Sequence, residues 1–167
     1  MITRSCCPAH IGVVMDVPPK GHAAELLRDF IGHWRGITEI AQSPWGAART
    51  AEAEAVFTQA AGGYAVVQSY RHREPDGTHF EGHGMFTVDP AHGDTLWYYV
   101  DSMGRPPTAP VRGTWHAGTL TVDRRTPEGV ARNAFRVEDG VLVHTAELRL
   151  EGTAEFTPLL KSVFRKT

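Results

Sequence analysis

Residues 64–88 read YAVVQSYRHREPDGTHFEGHGMFTV. Two runs with a period of two flank Pro75-Asp76-Gly77. Successive side chains of a strand point to opposite faces, so such runs build a half-buried hairpin. Pro-Asp-Gly is the chemistry of a three-residue loop, a type I turn followed by a glycine in the left-handed region. This loop pairs Glu74 with Thr78, and therefore Arg71 with Glu81 and His72 with Phe80. Tyr64, Val66, Gln68, Tyr70 and His72 then share the inner face, opposite Val88, Phe86, Gly84, Gly82 and Phe80. Arg71 and Glu81 become an opposite-charge pair on the outer face. Glycine weakens a strand, so Gly82 and Gly84 imply room for something bulky. A two-residue loop would instead turn Glu81, His83 and Met85 inward, because a slip of one residue exchanges the faces.

The same rules extend downstream. A four-residue loop at 90–93 pairs Val88 with Thr95 and points Trp97, Tyr99 and Asp101 inward. Ala117-Gly118 as a two-residue loop pairs Arg112 with Asp123, and Asp139-Gly140 pairs Arg132 with Glu147. A four-residue loop at 126–129 joins Asp123 to Arg132, which completes an outer ladder Arg112–Asp123–Arg132–Glu147. Trp115, Leu120, Val122, Asn133, Phe135, Val137, Leu142, His144, Ala146 and Leu148 then face inward. On the first strand Trp34, Gly36 and Thr38 point in, while Arg35 and Glu39 point out.

Ten such runs follow one another, at about 34–41, 49–60, 64–74, 79–88, 94–103, 111–116, 119–125, 130–138, 141–150 and 154–166. Short strands with turn signals about every eight to twelve residues mark an antiparallel sandwich or barrel. Before them, Gly21 to Phe30 carries Ala24, Leu27 and Phe30 at helical spacing and predicts one short helix. No repeat or linker divides the series, so 21–167 reads as one domain behind a loose arm, 1–20.

Composition narrows the function classes. The 167 residues are 41% hydrophobic and 22% charged, with a net charge of −2. That balance excludes a polybasic nucleic-acid binder. No apolar run approaches the roughly 20 residues that span a bilayer. The only cysteines, Cys6 and Cys7, are adjacent and cannot staple distant segments. The apolar patch Ile11 to Met15 is too short for a signal peptide, so a cytoplasmic protein is expected.

Phe30-Ile31-Gly32-His33-Trp34, Gly62-Gly63, Phe80-Glu81-Gly82-His83-Gly84, Val88-Asp89-Pro90, Asp101-Ser102-Met103-Gly104 and Gly113-Thr114-Trp115 form a set. A short helix and Gly32-x-Trp34 at the head of a ten-stranded meander resemble the calycins, the lipocalin and fatty-acid-binding-protein barrels. The whole set, from about Phe30 to Arg165, resembles a bacterial calycin-like family catalogued as a domain of unknown function. That resemblance implies an all-β fold, a single antiparallel up-and-down barrel of about ten strands. It implies no substrate and no catalytic residues. Nitrobindin, a haem-binding barrel, is a more distant relative in fold.

No phosphate loop, nucleophile elbow or zinc-protease motif is present. The informative residues are the inward polar ones: Gln68, Tyr70, His72, Tyr99, Asp101, Asn133 and His144. Asp101 either orients His72 as a general base or caps the turn at Ser102-Met103-Gly104. His144 is either a satisfied core histidine or an axial haem ligand. His33, His79, His92 and His116 fall at turns or outward positions, and no His/Asp/Glu trio has metal-ligand spacing on one strand. Trp34, Trp97 and Trp115 either fill the core or line a cavity. Gly104 to Pro110 is either a lid or a rigid connection.

The leading expectation is a module that holds a small apolar or aromatic molecule. Gln68, Tyr70 and Tyr99 would orient it, and Trp34, Trp97 and Trp115 would pack against it. His72, Asp101, Asn133 and His144 complete the candidate lining. The alternative is a cofactor-free isomerase, cyclase or hydrolase using His72, Asp101 and Tyr70. A haem barrel ligated by His144 is a further alternative; otherwise no cofactor or metal is expected. Nucleic-acid and membrane partners are not expected. Val67, Met85, Tyr98 and Val100 form an outer apolar patch suited to a homodimer.

Overall fold

The Pro75-Asp76-Gly77 loop closes with three residues. The amide of Glu74 donates to Thr78 O at 2.8 Å and that of Gly77 to Glu74 O at 3.0 Å. Gly77 takes φ +89°, and Asp76 Oδ1 accepts from the Thr78 amide at 2.8 Å. His72 therefore lies opposite Phe80 and Arg71 opposite Glu81. Glu81, His83 and Met85 stay outside, where they are exposed.

This computed structural model describes residues 22–106 and 109–167. The arm, Cys6, Cys7 and two residues of the Gly104–Pro110 segment lie outside the described residues. After helix α1 (His22–Leu26) come β1 (Gly32–Ile40), β2 (Arg49–Ala60), β3 (Ala65–Arg73), β4 (His79–Val88) and β5 (Thr95–Asp101). They continue as β6 (Val111–His116), β7 (Thr119–Thr126), β8 (Gly129–Glu138), β9 (Val141–Leu150) and β10 (Thr157–Lys166). Each strand pairs antiparallel with its sequence neighbours, and β10 pairs with β1 to close the barrel. Closure removes both sheet edges.

The helix is shorter than its apolar spacing predicts. After Leu26 the amides of Arg28, Phe30 and Ile31 bond three residues back, and Gly32, at φ +138°, swings the chain into β1. The tightened turn lets Leu27 and Phe30 plug the end of the barrel where β1 begins. Phe30 meets Phe57 at 5.7 Å and Trp115 at 6.2 Å between ring centroids.

Outer charges follow the strand register, but not always the expected partner. Asp123 and Arg132 form the expected bidentate pair, with both contacts at 2.8 Å. Their loop is tighter than four residues: Thr126 pairs directly with Gly129, which preserves the same register. Arg112 turns away from Asp123 to Asp89 at 2.9 Å and Asp94 at 2.7 Å. Arg71 bonds Glu54 rather than Glu81, at 2.6 Å, and Arg35 reaches the same carboxylate at 3.2 Å. Glu54 lies opposite both arginines on its two flanking strands. A carboxylate between two cations is a better site than one beside a single cation, although each exposed pair contributes only about 0.2–1 kcal/mol.

Among the described residues no helix is long and apolar enough to cross a membrane.

Candidate functional site

The barrel interior is graded along its axis. Near the helix it is packed with Leu27, Phe30, Trp34, Phe57, Val66, Phe86, Leu120 and Leu142. Trp34 and Trp115 belong to this plug. The Trp34 indole donates to Phe30 O at 2.6 Å, and that of Trp115 to Thr95 Oγ1 at 2.9 Å. They are therefore fastenings of the closed end and not walls of a cavity. Toward the opposite rim the inward residues shrink to Ala51, Ala53, Ala131 and Ala146, all buried. Among these alanines stand the buried polar side chains of Gln68, Tyr70, His72, Asn133 and His144.

The space over Gly82 and Gly84 is taken by the protein itself. A Cβ at Gly82 would lie 2.9 Å from Tyr99 Cζ. One at Gly84 would lie 2.8 Å from Gln68 Oε1 and collide with Trp97 Nε1. The glycines thus admit rings from β5: Trp97 stacks on Phe86 at 5.9 Å and meets Tyr99 at a tilt at 4.6 Å.

A chain of polar contacts crosses the barrel's closing seam. Ser162 Oγ and Thr38 Oγ1 are 2.7 Å apart, Thr38 Oγ1 and Tyr70 Oη 3.0 Å, and Tyr70 Oη and His72 Nδ1 2.8 Å. His72 Nε2 then faces Glu74 Oε1 at 3.8 Å, and Glu74 is clamped by Arg49 through Nη2 at 3.0 Å and through Nε. Burial holds the His72 imidazole below its ordinary pKa, against the opposing pull of the Glu74 charge. A neutral ring with its proton on Nε2, toward the carboxylate, leaves Nδ1 as acceptor. Tyr70 then donates to His72, Thr38 to Tyr70 and Ser162 to Thr38. Burial also raises the Tyr70 phenol, so it stays protonated near neutrality.

The carboxylate facing His72 is therefore Glu74 and not Asp101. Asp101 Oδ1 accepts from the Met103 amide at 3.0 Å and caps that turn, while Oδ2 lies 3.8 Å from Arg124 Nη2. Sequence reasoning missed Glu74, Arg49, Thr38 as a hydrogen-bonding partner, and Ser162. Glu74 follows Tyr70 and His72 at period two, so alternation carries its inward position; the adjacent Pro-Asp-Gly turn masked it.

His144 lies face to face on Phe135 at 4.4 Å with an interplanar angle of 6°. Its Nε2 contacts Asn133 Oδ1 at 3.0 Å, and its Nδ1 is buried without a partner. Burial pushes its pKa down to about 4. This setting does not fit an axial haem ligand: Nε2 is engaged by Asn133 and one face of the ring is covered by Phe135. His33, His79, His92 and His116 stand exposed.

A family model described as protein of unknown function DUF1579 matches residues 19–146. The chain belongs to that family. In three dimensions this DUF1579 chain is similar to the protein of the "Crystal Structure of Rv2717c from M. tuberculosis", with a TM-score of 0.68 and 15% identity. The likeness covers 89% of this chain and 99% of that one, and it shows a shared fold. Among curated proteins none matches. The upper interior of this DUF1579 barrel is polar. Besides His144 Nδ1, the buried atoms Gln68 Oε1, Trp97 Nε1 and Arg124 Nε have no hydrogen-bond partner.

Proposed function

We propose that this protein binds a small, mostly apolar or aromatic molecule in the upper half of its barrel. One observation carries the reading: buried polar atoms of Gln68, Trp97 and His144 lie without partners among rings and inward alanines. Leaving such a group unsatisfied costs about 1–3 kcal/mol, and a ligand's own donors and acceptors offset that cost. Ten strands also enclose a wider interior than the roughly eight that side chains just fill. Gln68, Trp97 and His144 would orient the ligand, with Tyr70, Phe80, Tyr99 and Phe135 around it. The same reading makes this a bacterial, calycin-like, cytoplasmic carrier. A second copy would cover the outer patch of Val67, Met85, Tyr98 and Val100.

The test is native mass spectrometry of the purified protein, followed by thermal shifts with lipids and aromatics. A true ligand at a hundred times its Kd adds about 2.7 kcal/mol, or roughly 5–10 °C in Tm. No co-purifying molecule and no shift across the panel would end the reading.

The Tyr70–His72–Glu74 contacts favour a second reading, a cofactor-free isomerase, cyclase or hydrolase in which His72 acts as general base through Tyr70, its Nδ1 taking the phenol proton as the phenol oxygen takes one from the substrate. In this reading His72→Ala abolishes turnover while the circular dichroism of the barrel is retained. Unchanged turnover would remove His72 from the chemistry.

A further inference from the structure

Strand β6 is too short to complete the wall. It pairs with β5 only from Thr95 to Trp97, and with β7 only from Thr119 to Val122. Beyond those pairs, among the described residues, Tyr98–Asp101 and Asp123–Thr126 have no ladder partner on β6, which leaves a gap in the hydrogen-bonded wall. Three inward side chains meet across this gap. Arg124 lays its guanidinium over the Tyr99 ring at 4.8 Å from the centroid. Its Nη2 is 3.8 Å from Asp101 Oδ2, which is too long for a hydrogen bond. Arg124 Nε is buried with no partner. The two side chains are only 19% and 8% exposed, so this loosened pair is largely withdrawn from solvent.

A guanidinium presents donors in a fixed planar fork, and an unfilled donor on a buried charged group is costly. The pair as a whole is neutral. A ligand carboxylate would satisfy Arg124 but would bring a second negative charge against Asp101. A head that offers an acceptor and a donor side by side suits both members: its oxygen takes the Arg124 donors and its N–H or O–H goes to Asp101 Oδ2. We infer that Arg124 and Asp101 bind the neutral donor–acceptor head of the ligand, a carboxamide or lactam, while its apolar body lies along Tyr99 and Trp97. The inference rests on the ligand-binding reading above and adds the chemistry of the head and the end of the barrel at which it sits.

Isothermal titration calorimetry at pH 7.5 with 2-naphthamide, 2-acetonaphthone and 2-naphthoate tests it, because the three share a body and differ in the head. The amide is expected to bind at least about tenfold tighter than the ketone or the carboxylate. Arg124→Lys keeps the charge but loses the fork, and is expected to abolish the amide's advantage. Asp101→Asn is expected to improve naphthoate selectively. Naphthoate binding the wild type as tightly as the amide overturns the inference, as does an Arg124→Lys protein with an unchanged preference. In both cases the cavity reading stands. If none of the three binds the wild type, the head-group assignment fails, and the cavity reading is decided separately by the co-purification and thermal-shift panel.

Discussion

Gly36→Ala is expected to destabilise the barrel by roughly 3 kcal/mol or more, at the upper end of what an overpacked methyl group costs. Gly36 lies in β1 opposite Phe164 of β10, on the seam that closes the sheet. A Cβ there would lie 2.8 Å from Phe164 Cα and collide with the Val163 carbonyl oxygen. Both are backbone atoms, so no rotamer change relieves the clash. Relief means separating β1 from β10, which opens the ring. Urea unfolding checks this against Ile37→Ala, one residue along, where the side chain is 48% exposed. That neighbour should shift stability by less than about 0.5 kcal/mol. Equal midpoints for the two variants would contradict the seam geometry. At Gly84, by contrast, an added methyl group meets the side chains of Gln68 and Trp97 rather than backbone atoms.

The second large effect is loss of stability in mild acid through His144. Its pKa falls from 6.5 to about 4 because burial disfavours the charged ring. Between those values the unfolded chain binds a proton that the folded chain does not. The contribution of His144 is therefore fully present above about pH 6.5 and is lost as pH falls toward 4, a change of about 3 kcal/mol. Burial of the neutral ring on Phe135, with Asn133 at its Nε2, is what protonation would disrupt. Urea titrations at pH 7.5, 6, 5 and 4.5 measure the slope. His144→Gln, which keeps a polar group beside Asn133, should flatten it. A wild-type slope matching that of the variant would show that His144 titrates normally.

Much of the architecture was legible locally. Pro75-Asp76-Gly77 fixes the φ of its glycine and so the hairpin register, and that register sorts Gln68, Tyr70 and His72 from Arg71 and Arg73. Asp139-Gly140 does the same for Asn133 and His144. The helix was overextended because periodicity does not register where the chain must turn into β1. Within the candidate site, alternation found the inward side chains but not their partners. Asp101 and Glu74 are both inward carboxylates near a barrel end. Only the closed sheet shows that Glu74 faces His72 while Asp101 caps its own turn and faces Arg124. Arg124 was passed over because a charge near a strand end reads as outer.

The sequence by itself determined the strands, their hairpin registers, the faces and the all-β class, because each depends on a few adjacent residues and on the geometry of one turn. The tertiary structure decided closure of β1 on β10, the filling of Gly82 and Gly84 by Tyr99 and Trp97, and the carboxylate that each buried cation or imidazole meets. Those outcomes depend on distances across the ring, between residues such as Thr38 and Ser162 that are 124 positions apart. No local rule of pattern or turn reaches that far.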